Sequence, residues 1–205
     1  MRHPLLVSLV LFTGCAHTVQ QRMDVLKNAK SAECPNDLDK LEEGSPKNLI
    51  PNEWIEGELP EGRCTSAVSR RSSWDLFRFL PKDTRADLEI RVAVLAKGLG
   101  FRGEHSMIIP YVTLLEGMRR SSGAVRLLSI RADRDPARGD TLVYLYSMNG
   151  LKPGKKTGVL ITADLSQAGK KVENAVAAHL SADFPLAVPV LVGPFGAIEV
   201  RLNAP

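Results

Sequence analysis

Aromatic residues are scarce in this chain, and recognisable catalytic motifs are missing. Phe, Trp and Tyr make up 5% of the 205 residues, which is too few for an obvious base-stacking platform and argues against nucleic acid as a partner. The sequence has no HExxH, P-loop or GxSxG pattern, so the motifs of zinc peptidases, nucleotide-binding proteins and serine hydrolases are absent. We therefore expect no cofactor and no catalytic metal from any motif, and we lean against an enzyme.

The N-terminus lacks an apolar run long enough to cross a membrane. Its apolar stretch covers residues 5–12, whereas a spanning helix needs about 20 residues. Arg2 precedes this stretch, and the small residues Thr13 and Gly14 follow it. A positive start, an apolar segment and a small-residue exit are the parts of an export signal.

The end of the export signal has a distinctive sequence, Leu-Phe-Thr-Gly-Cys over residues 11–15. It resembles the lipobox of bacterial lipoproteins, in which the cysteine is acylated, palmitate included, and the chain is cut just before it. The resemblance implies a signal peptide over 1–14, lipidation of Cys15 and, since Ala16 rather than Asp follows, an outer-membrane address. Two or more acyl chains hold a protein firmly on a membrane. The alternative is an ordinary secretory signal with a chance cysteine.

Charge is distributed unevenly along the chain. Residues 16–63 contain 10 Asp and Glu against 6 Lys and Arg, while residues 64–205 contain 13 acidic and 20 basic residues. We therefore divide the mature chain into an acidic tether over 15–63 and one basic globular domain over 64–205. A basic body suggests anionic lipids or glycans as partners. The alternative is a solvated surface, because the basic pairs, among them Arg119-Arg120 and Lys155-Lys156, lie far apart in the sequence.

Only three cysteines are present. If Cys15 carries lipid, Cys34 and Cys64 remain as a pair in an oxidising compartment, which predicts a disulfide. Two free thiols or a metal pair are the alternatives, although no zinc-type spacing occurs.

Hydrophobic periodicity predicts a fold rich in β-strands. Leu88, Ile90 and Val92 alternate with Glu89 and Arg91, which is the pattern of a half-buried strand. Residues 72–81 fit a short helix or an edge segment, and residues 106–118 contain Pro110 and fit an edge strand, a bent strand or a helix start. Further strands are predicted over 124–132, 141–148, 159–164, 186–193 and 197–202, with 141–148 and 159–164 as a hairpin.

Two helices complete the prediction. Val19, Met23 and Leu26 indicate a short helix within residues 16–36, before a loop over 36–63. A longer helix is expected over about 165–182, with Asp164 as its cap. The fold class is therefore α+β, with a β-rich antiparallel sheet or small sandwich and one main helix in the C-terminal half; the alternative is an all-β sandwich.

The remaining candidate for chemistry is a weak one. His105 has Glu104 and Ser106 as neighbours, but adjacent residues of an extended chain point to opposite faces and cannot form a triad by themselves. A site would require a cleft that gathers His105 with Arg119, Arg120 or Glu104.

The sequence thus favours an envelope lipoprotein that acts without catalysis, as a binding, assembly or accessory factor at the outer membrane. Its expected partners are envelope proteins, and the lipid is its contact with the membrane. The alternative is a lipid-anchored, toxin-like enzyme acting on nucleic acid or cell-wall polymer. A lipid carrier is a third option, which would need an apolar cavity.

Overall fold

Strands dominate the fold of the described residues, which are 18–28, 34, 38, 41, 46–60, 63–66, 72–96, 105–117, 119–135, 139–180 and 189–203 of a computed structural model. The strands are β1 (Lys47–Asn48), β2 (Trp54–Leu59), β3 (Trp74–Phe79), β4 (Arg85–Ala93), β5 (Leu95–Ala96), β6 (His105–Met107), β7 (Pro110–Glu116), β8 (Arg119–Arg120), β9 (Ala124–Asp135), β10 (Gly139–Asn149), β11 (Thr157–Ala163), β12 (Val190–Val192) and β13 (Gly196–Asn203). The helices are α1 (Val19–Asn28) and α2 (Val172–Val176).

The strands form three sheets. The first sheet has the order β1-β3-β11-β7-β8, the second β2-β13-β4-β10-β9, and the third β12-β6-β5. All neighbours are antiparallel except β1 with β3 and β6 with β12. The prediction of a β-rich α+β fold with antiparallel sheets is confirmed.

One hydrophobic core joins the first and second sheets. Phe77 and Val159 of the first sheet belong to the same buried cluster as Ile90, Tyr144 and Val200 of the second. The alternation predicted for Leu88, Ile90 and Val92 places all three in this cluster, because residues two apart in a strand share a face.

The loop prediction for residues 36–63 is wrong at two stretches. β1 pairs with β3 in the first sheet, and all six residues of β2 pair with β13 in the second sheet. The many acidic residues and prolines of this segment favoured a loop prediction over a strand. In β2, Trp54 and Ile55 are half-buried while Glu56 and Glu58 are exposed. Residues on either side of the predicted boundary at residue 63 therefore pair within the same sheets.

The long helix predicted over about 165–182 is also wrong, since it is broken into short pieces. A 3-10 turn covers Leu165–Gln167, α2 has five residues, and a second 3-10 turn covers Ala177–His179. The break occurs at Gly169, where φ is +80° and the N–H donates to the carbonyl of Val192 at 2.9 Å. Asp164 caps the first turn as predicted, because its side chain accepts from the N–H of Ser166.

The predicted hairpin between residues 141–148 and 159–164 does not form. β10 pairs with β4 and β9 in the second sheet, whereas β11 pairs with β3 and β7 in the first. The connection, residues 150–156, crosses from one sheet to the other and turns at Gly150 and Gly154, both with positive φ.

The N-terminal segment packs on the body. α1 lies within the range predicted for a helix, and it buries Val19, Arg22 and Leu26. Leu26 shares a cluster with the disulfide between Cys34 and Cys64, whose Cα atoms lie 4.6 Å apart. The predicted disulfide is therefore present. None of the described helices is long and apolar enough to cross a membrane.

Candidate functional site

The structure places His105 far from Arg119 and Arg120, which the sequence suggested as possible members of one catalytic cleft. His105 lies in β6, where it pairs with Val190 and Ala96. Arg119 and Arg120 form β8, which pairs with the last two residues of β7. Because β6 leads into the start of β7, the seven residues of β7 separate His105 from the arginines by about 20 Å. Glu104 lies outside the described residues.

Arg119 and Arg120 belong instead to a cluster of basic residues, which we call the basic end. Thr157, the first residue of β11, pairs with Glu116, the last residue of β7. This register brings the turn between β7 and β8 beside the loop that precedes β11. The two segments, residues 116–120 and 150–156, supply one carboxylate, Glu116, and five exposed cations, which are Arg119, Arg120, Lys152, Lys155 and Lys156.

Glu116 offsets only part of this charge. Its carboxylate accepts hydrogen bonds from Lys152 Nζ at 2.7 and 2.6 Å, and Lys155 Nζ lies 3.8 Å away. The hydrogen bond from Lys152 lowers the pKa of Glu116, with a smaller contribution from the charge of Lys155. Glu116 therefore stays ionised, and paired with Lys152, across the range of neutral and mildly acidic pH.

A small pocket opens in the outer face of the first sheet at the basic end. Arg78, Gly158, Leu115 and Arg120 lie opposite one another on β3, β11, β7 and β8, and directly opposite residues share a face. The backbone of Gly158 packs closely on Leu115, since a Cβ there would lie only 3.1 Å from the Cβ of Leu115. The pocket has a volume of about 160 Å³ and is lined by Leu38, Leu76, Arg78, Leu115, Gly117, Lys156 and Gly158.

Leucines from the N-terminal segment cover the adjoining part of this face. Leu41 is fully buried against Trp74, Leu76 and Leu160, and Leu38 packs on the same cluster. Both leucines come from a strongly acidic stretch, with acids at positions 37, 39, 42 and 43. Two leucines of the N-terminal segment thus cover part of the outer face of the first sheet.

The opposite end of the first sheet, which we call the α1 end, carries the N-terminal helix. Arg22 of α1 donates from Nη1 to Ser106 Oγ at 3.3 Å, and its guanidinium lies 5.5 Å from the centre of the Phe195 ring. Ser106 belongs to β6, just before Pro110, which pairs with Ala163 at the end of β11. The α1 end and the basic end are therefore at opposite ends of β11, separated by about 20 Å.

The outer face of the second sheet holds a network of paired charges. Two guanidinium groups lie over the ring of Trp54, that of Arg91 at 4.0 Å and that of Arg201 at 4.5 Å from the ring centre. Arg91 donates to Asp133 at 2.8 Å and to Glu199 at 2.6 Å. Burial acts to lower the pKa of Arg91, but the hydrogen bonds and charges of these two carboxylates outweigh burial and raise it.

The same network continues along the sheet. Glu89 accepts hydrogen bonds from Arg201 and from Arg131, the latter at 3.3 Å. A groove of about 480 Å³ lies beside Arg91 and is lined also by Thr141 and Glu199. The central arginines and carboxylates of this face therefore satisfy one another.

Sequence reasoning found the basic pairs but not their convergence. Arg119-Arg120 and Lys155-Lys156 are 35 positions apart in the chain, and only the pairing of β7 with β11 makes them neighbours. The sequence signal that could have indicated this convergence is that each basic pair adjoins an apolar, strand-like stretch.

Comparisons with known proteins found no relative. No protein-family model matches the chain, and neither the curated proteins nor the solved structures include a match. Among the described residues, no group of three or more His, Cys, Asp or Glu side chains is placed to hold a metal ion.

Proposed function

We propose that this chain is an envelope lipoprotein that acts without catalysis, as a binding, assembly or accessory factor at the outer membrane, and that its basic end binds an acidic partner. The observation that supports this proposal is the arrangement of the two ends. The proposed lipid site precedes α1, whereas the exposed cations gather at the other end of β11.

The spacing between Cys15 and α1 limits how far a lipid would stand from the body. Thr18, which immediately precedes α1, is three residues beyond Cys15, and three residues span at most about 10 Å. A lipid on Cys15 would therefore hold the α1 end close to the membrane. Within the segment predicted as an acidic tether, α1 buries residues against the body, β1 pairs with β3 and β2 pairs with β13.

This arrangement favours a protein partner over the lipid headgroups beside the anchor. The basic end lies about 20 Å beyond the α1 end along β11, while the Debye length at physiological ionic strength is about 8 Å. If β11 points away from the membrane, the charges of the anchoring leaflet are screened before they reach the basic end. Confinement to the membrane raises the effective concentration toward partners held at the same surface.

The proposal is tested by labelling cells with palmitate and by chemical crosslinking, with wild type compared with Cys15→Ser. We expect palmitate on the wild-type chain only, and one envelope protein crosslinked to the wild-type chain only. Absence of palmitate would refute the lipoprotein, and equal capture by both forms would refute a role for the anchor in partner binding.

A further inference from the structure

We propose that a gap between the ends of the first and second sheets, which we call the apolar opening, binds one aliphatic side chain from an acidic segment of a protein partner. The inference rests on the proposed binding function and names the chemistry that the partner presents. It involves no contact with the lipid anchor, so it can fail while lipidation of Cys15 holds.

The apolar opening leads into the hydrophobic core. Phe79 of the first sheet and Leu202 of the second sheet line it, and both belong to the core that the two sheets share. Pro81 and Ala86 add to its apolar wall. Its volume is about 100 Å³, below the range of roughly 300–1,000 Å³ that is usual for small-molecule sites. The size therefore favours a single side chain over a free small molecule.

Two exposed aliphatic side chains lie at the rim of the opening. Leu80 lines the opening and is 60% exposed, and Ile50 is 46% exposed. β1 and β3 are parallel, with Asn48 opposite Arg78, and the N–H of Leu49 donates to the carbonyl of Arg78 at 2.7 Å. Two residues further along this register, Ile50 lies beside Leu80, with about 5 Å between the two chains. Grouped apolar side chains, unlike single scattered ones, mark an interaction site.

A tight turn fixes one side of the rim. The turn at residues 50–53 has Pro51 in its second position and Asn52, with φ at 65°, in its third, which is the arrangement of a type II turn. The N–H of Asn52 donates to the carbonyl of Leu202 at 2.8 Å, so the turn is held on β13. A rim that is formed in advance loses little conformational entropy when a partner binds.

The other side of the rim adjoins the basic end through two backbone hydrogen bonds. The N–H of Leu151 donates to the carbonyl of Thr84, and the N–H of Gly154 donates to the carbonyl of Pro81, each at 3.0 Å. Both donors belong to the loop of the basic end, whose lysines are exposed. A partner seated in the opening would therefore lie beside those lysines.

The charged side chains of the rim favour carboxylates on the partner. Lys82 and Arg85 line the opening and are exposed, and neither forms an ion pair with a described residue. Asp83 is the one acidic side chain among the described residues that line the opening. Two available cations beside an apolar gap are complementary to carboxylates that flank an aliphatic side chain.

An anionic membrane is the alternative occupant, and it fits this surface less well. Acyl chains could contact Leu80 and Ile50, and lipid phosphates could contact Lys82 and Arg85. A bilayer surface, however, does not place one side chain in a gap between two sheets, and Asp83 at the rim would repel its phosphates. A protein segment with one aliphatic anchor uses the gap as well as the charges.

The test follows the methyl NMR signals of Ile50 and Leu80 in the full chain carrying Cys15→Ser, with its disulfide intact. The probes are a peptide with glutamates on both sides of a central leucine, and the same peptide with serine at the centre. We expect the leucine peptide to shift both signals saturably. It should bind about tenfold more tightly than the serine peptide, because a buried aliphatic side chain contributes that much.

Protein variants locate the binding surface. The double variant Lys82→Glu with Arg85→Glu should weaken binding of the leucine peptide at least about tenfold. The matched control is Lys170→Glu with Lys171→Glu, an exposed basic pair beyond the other end of β11, which should leave binding unchanged. Leu80→Ser should reduce the preference for leucine over serine. All three variants should keep the melting temperature of the parent chain, since the substituted side chains are exposed.

Three results would overturn the inference. Equal affinity for the two peptides, or no shift with the leucine peptide at millimolar concentration, would exclude an aliphatic anchor in the opening. Equal weakening by both double variants would indicate a general attraction to anions. Broadening of both signals by phosphatidylglycerol vesicles, with no response to either peptide, would assign the surface to a membrane. None of these results bears on palmitate at Cys15, so failure here is distinguishable from failure of the proposed function.

Discussion

Two tyrosines of β10 differ in their hydrogen bonding, so the same substitution should change stability in opposite directions. Tyr144 and Tyr146 are both buried, at 0% and 6% exposure. The hydroxyl of Tyr146 donates to the carbonyl of Pro110 at 2.6 Å. The hydroxyl of Tyr144 has no hydrogen-bond partner in the part of the chain that the structure describes.

The magnitudes follow from these contacts. Tyr146→Phe removes a buried hydrogen bond and leaves a carbonyl without this donor, which should destabilise the fold by about 1–2 kcal/mol. Tyr144→Phe removes a buried hydroxyl that lost its hydrogen bonds to water on folding and formed none in their place. The substitution should therefore stabilise the fold by about 1 kcal/mol. For a domain of this size, the two variants should then melt roughly 4–12 °C apart.

The assay is equilibrium unfolding in urea with the disulfide oxidised, followed by circular dichroism. Both variants should change the midpoint and leave the slope unchanged, because the surface exposed on unfolding is the same. Equal destabilisation by both substitutions would refute the reasoning, since it would mean that the hydroxyl of Tyr144 is bonded after all.

Alkaline pH provides a check on the same pair. Burial raises the pKa values of Tyr144 and Tyr146, and for Tyr146 the neighbouring charges of Tyr144 and Asp164 add to the effect. Above about pH 10 the unfolded chain loses these protons while the folded chain keeps them, so stability falls as pH rises further. A double Phe variant should lose much of this alkaline dependence in the same urea assay, and an unchanged dependence would contradict burial as its cause.

Three further predictions concern other parts of the molecule. Gly57→Ala should destabilise by about 1–3 kcal/mol, because the new Cβ would lie 2.6 Å from a buried ring carbon; a neutral effect in urea unfolding would contradict the close packing. Reduction of the bridge between Cys34 and Cys64, which closes a separation of 30 residues, should cost about 3–4 kcal/mol; an unchanged melting temperature under reductant would contradict it. The hydrogen bond from Lys152 lowers the pKa of Glu116. The stability that this ionised pair contributes is therefore complete above about pH 4.5 and is lost as pH falls through the lowered pKa. Glu116→Gln should remove this part of the acid dependence of stability, and the same acid dependence in the variant as in the parent would contradict the assignment.

The strands were predictable because their burial alternates with a period of two. Leu88, Ile90 and Val92 are all fully buried, as the pattern required. Glu89 follows the same pattern to the opposite face but is also buried, at 7% exposure, because arginines from β9 and β13 cover it. Periodicity shows which face a side chain occupies, and it does not show what will cover that face.

The pairing of the strands and the length of the C-terminal helix were harder to predict from the sequence. Residues 165–180 have the apolar spacing of a long helix, yet the backbone of Gly169 and Lys170 bonds with Val192 and ends the first turn early. That contact depends on a strand more than 20 positions away. The basic end has the same origin, since it exists only because β7 and β11 are neighbours.

The most direct test of the account is site-specific photo-crosslinking in the intact cells that produce the protein. A photoreactive residue is placed at Pro153 of the basic end, or at Ser166 beyond the other end of β11; both positions are exposed. Each variant is expressed with Cys15 and with Cys15→Ser. The account predicts that Pro153 captures one acidic envelope protein only when Cys15 is present, and that Ser166 does not capture it. Capture of that protein from Ser166 alone, or equally with Cys15→Ser, would contradict a partner-binding basic end held away from the membrane.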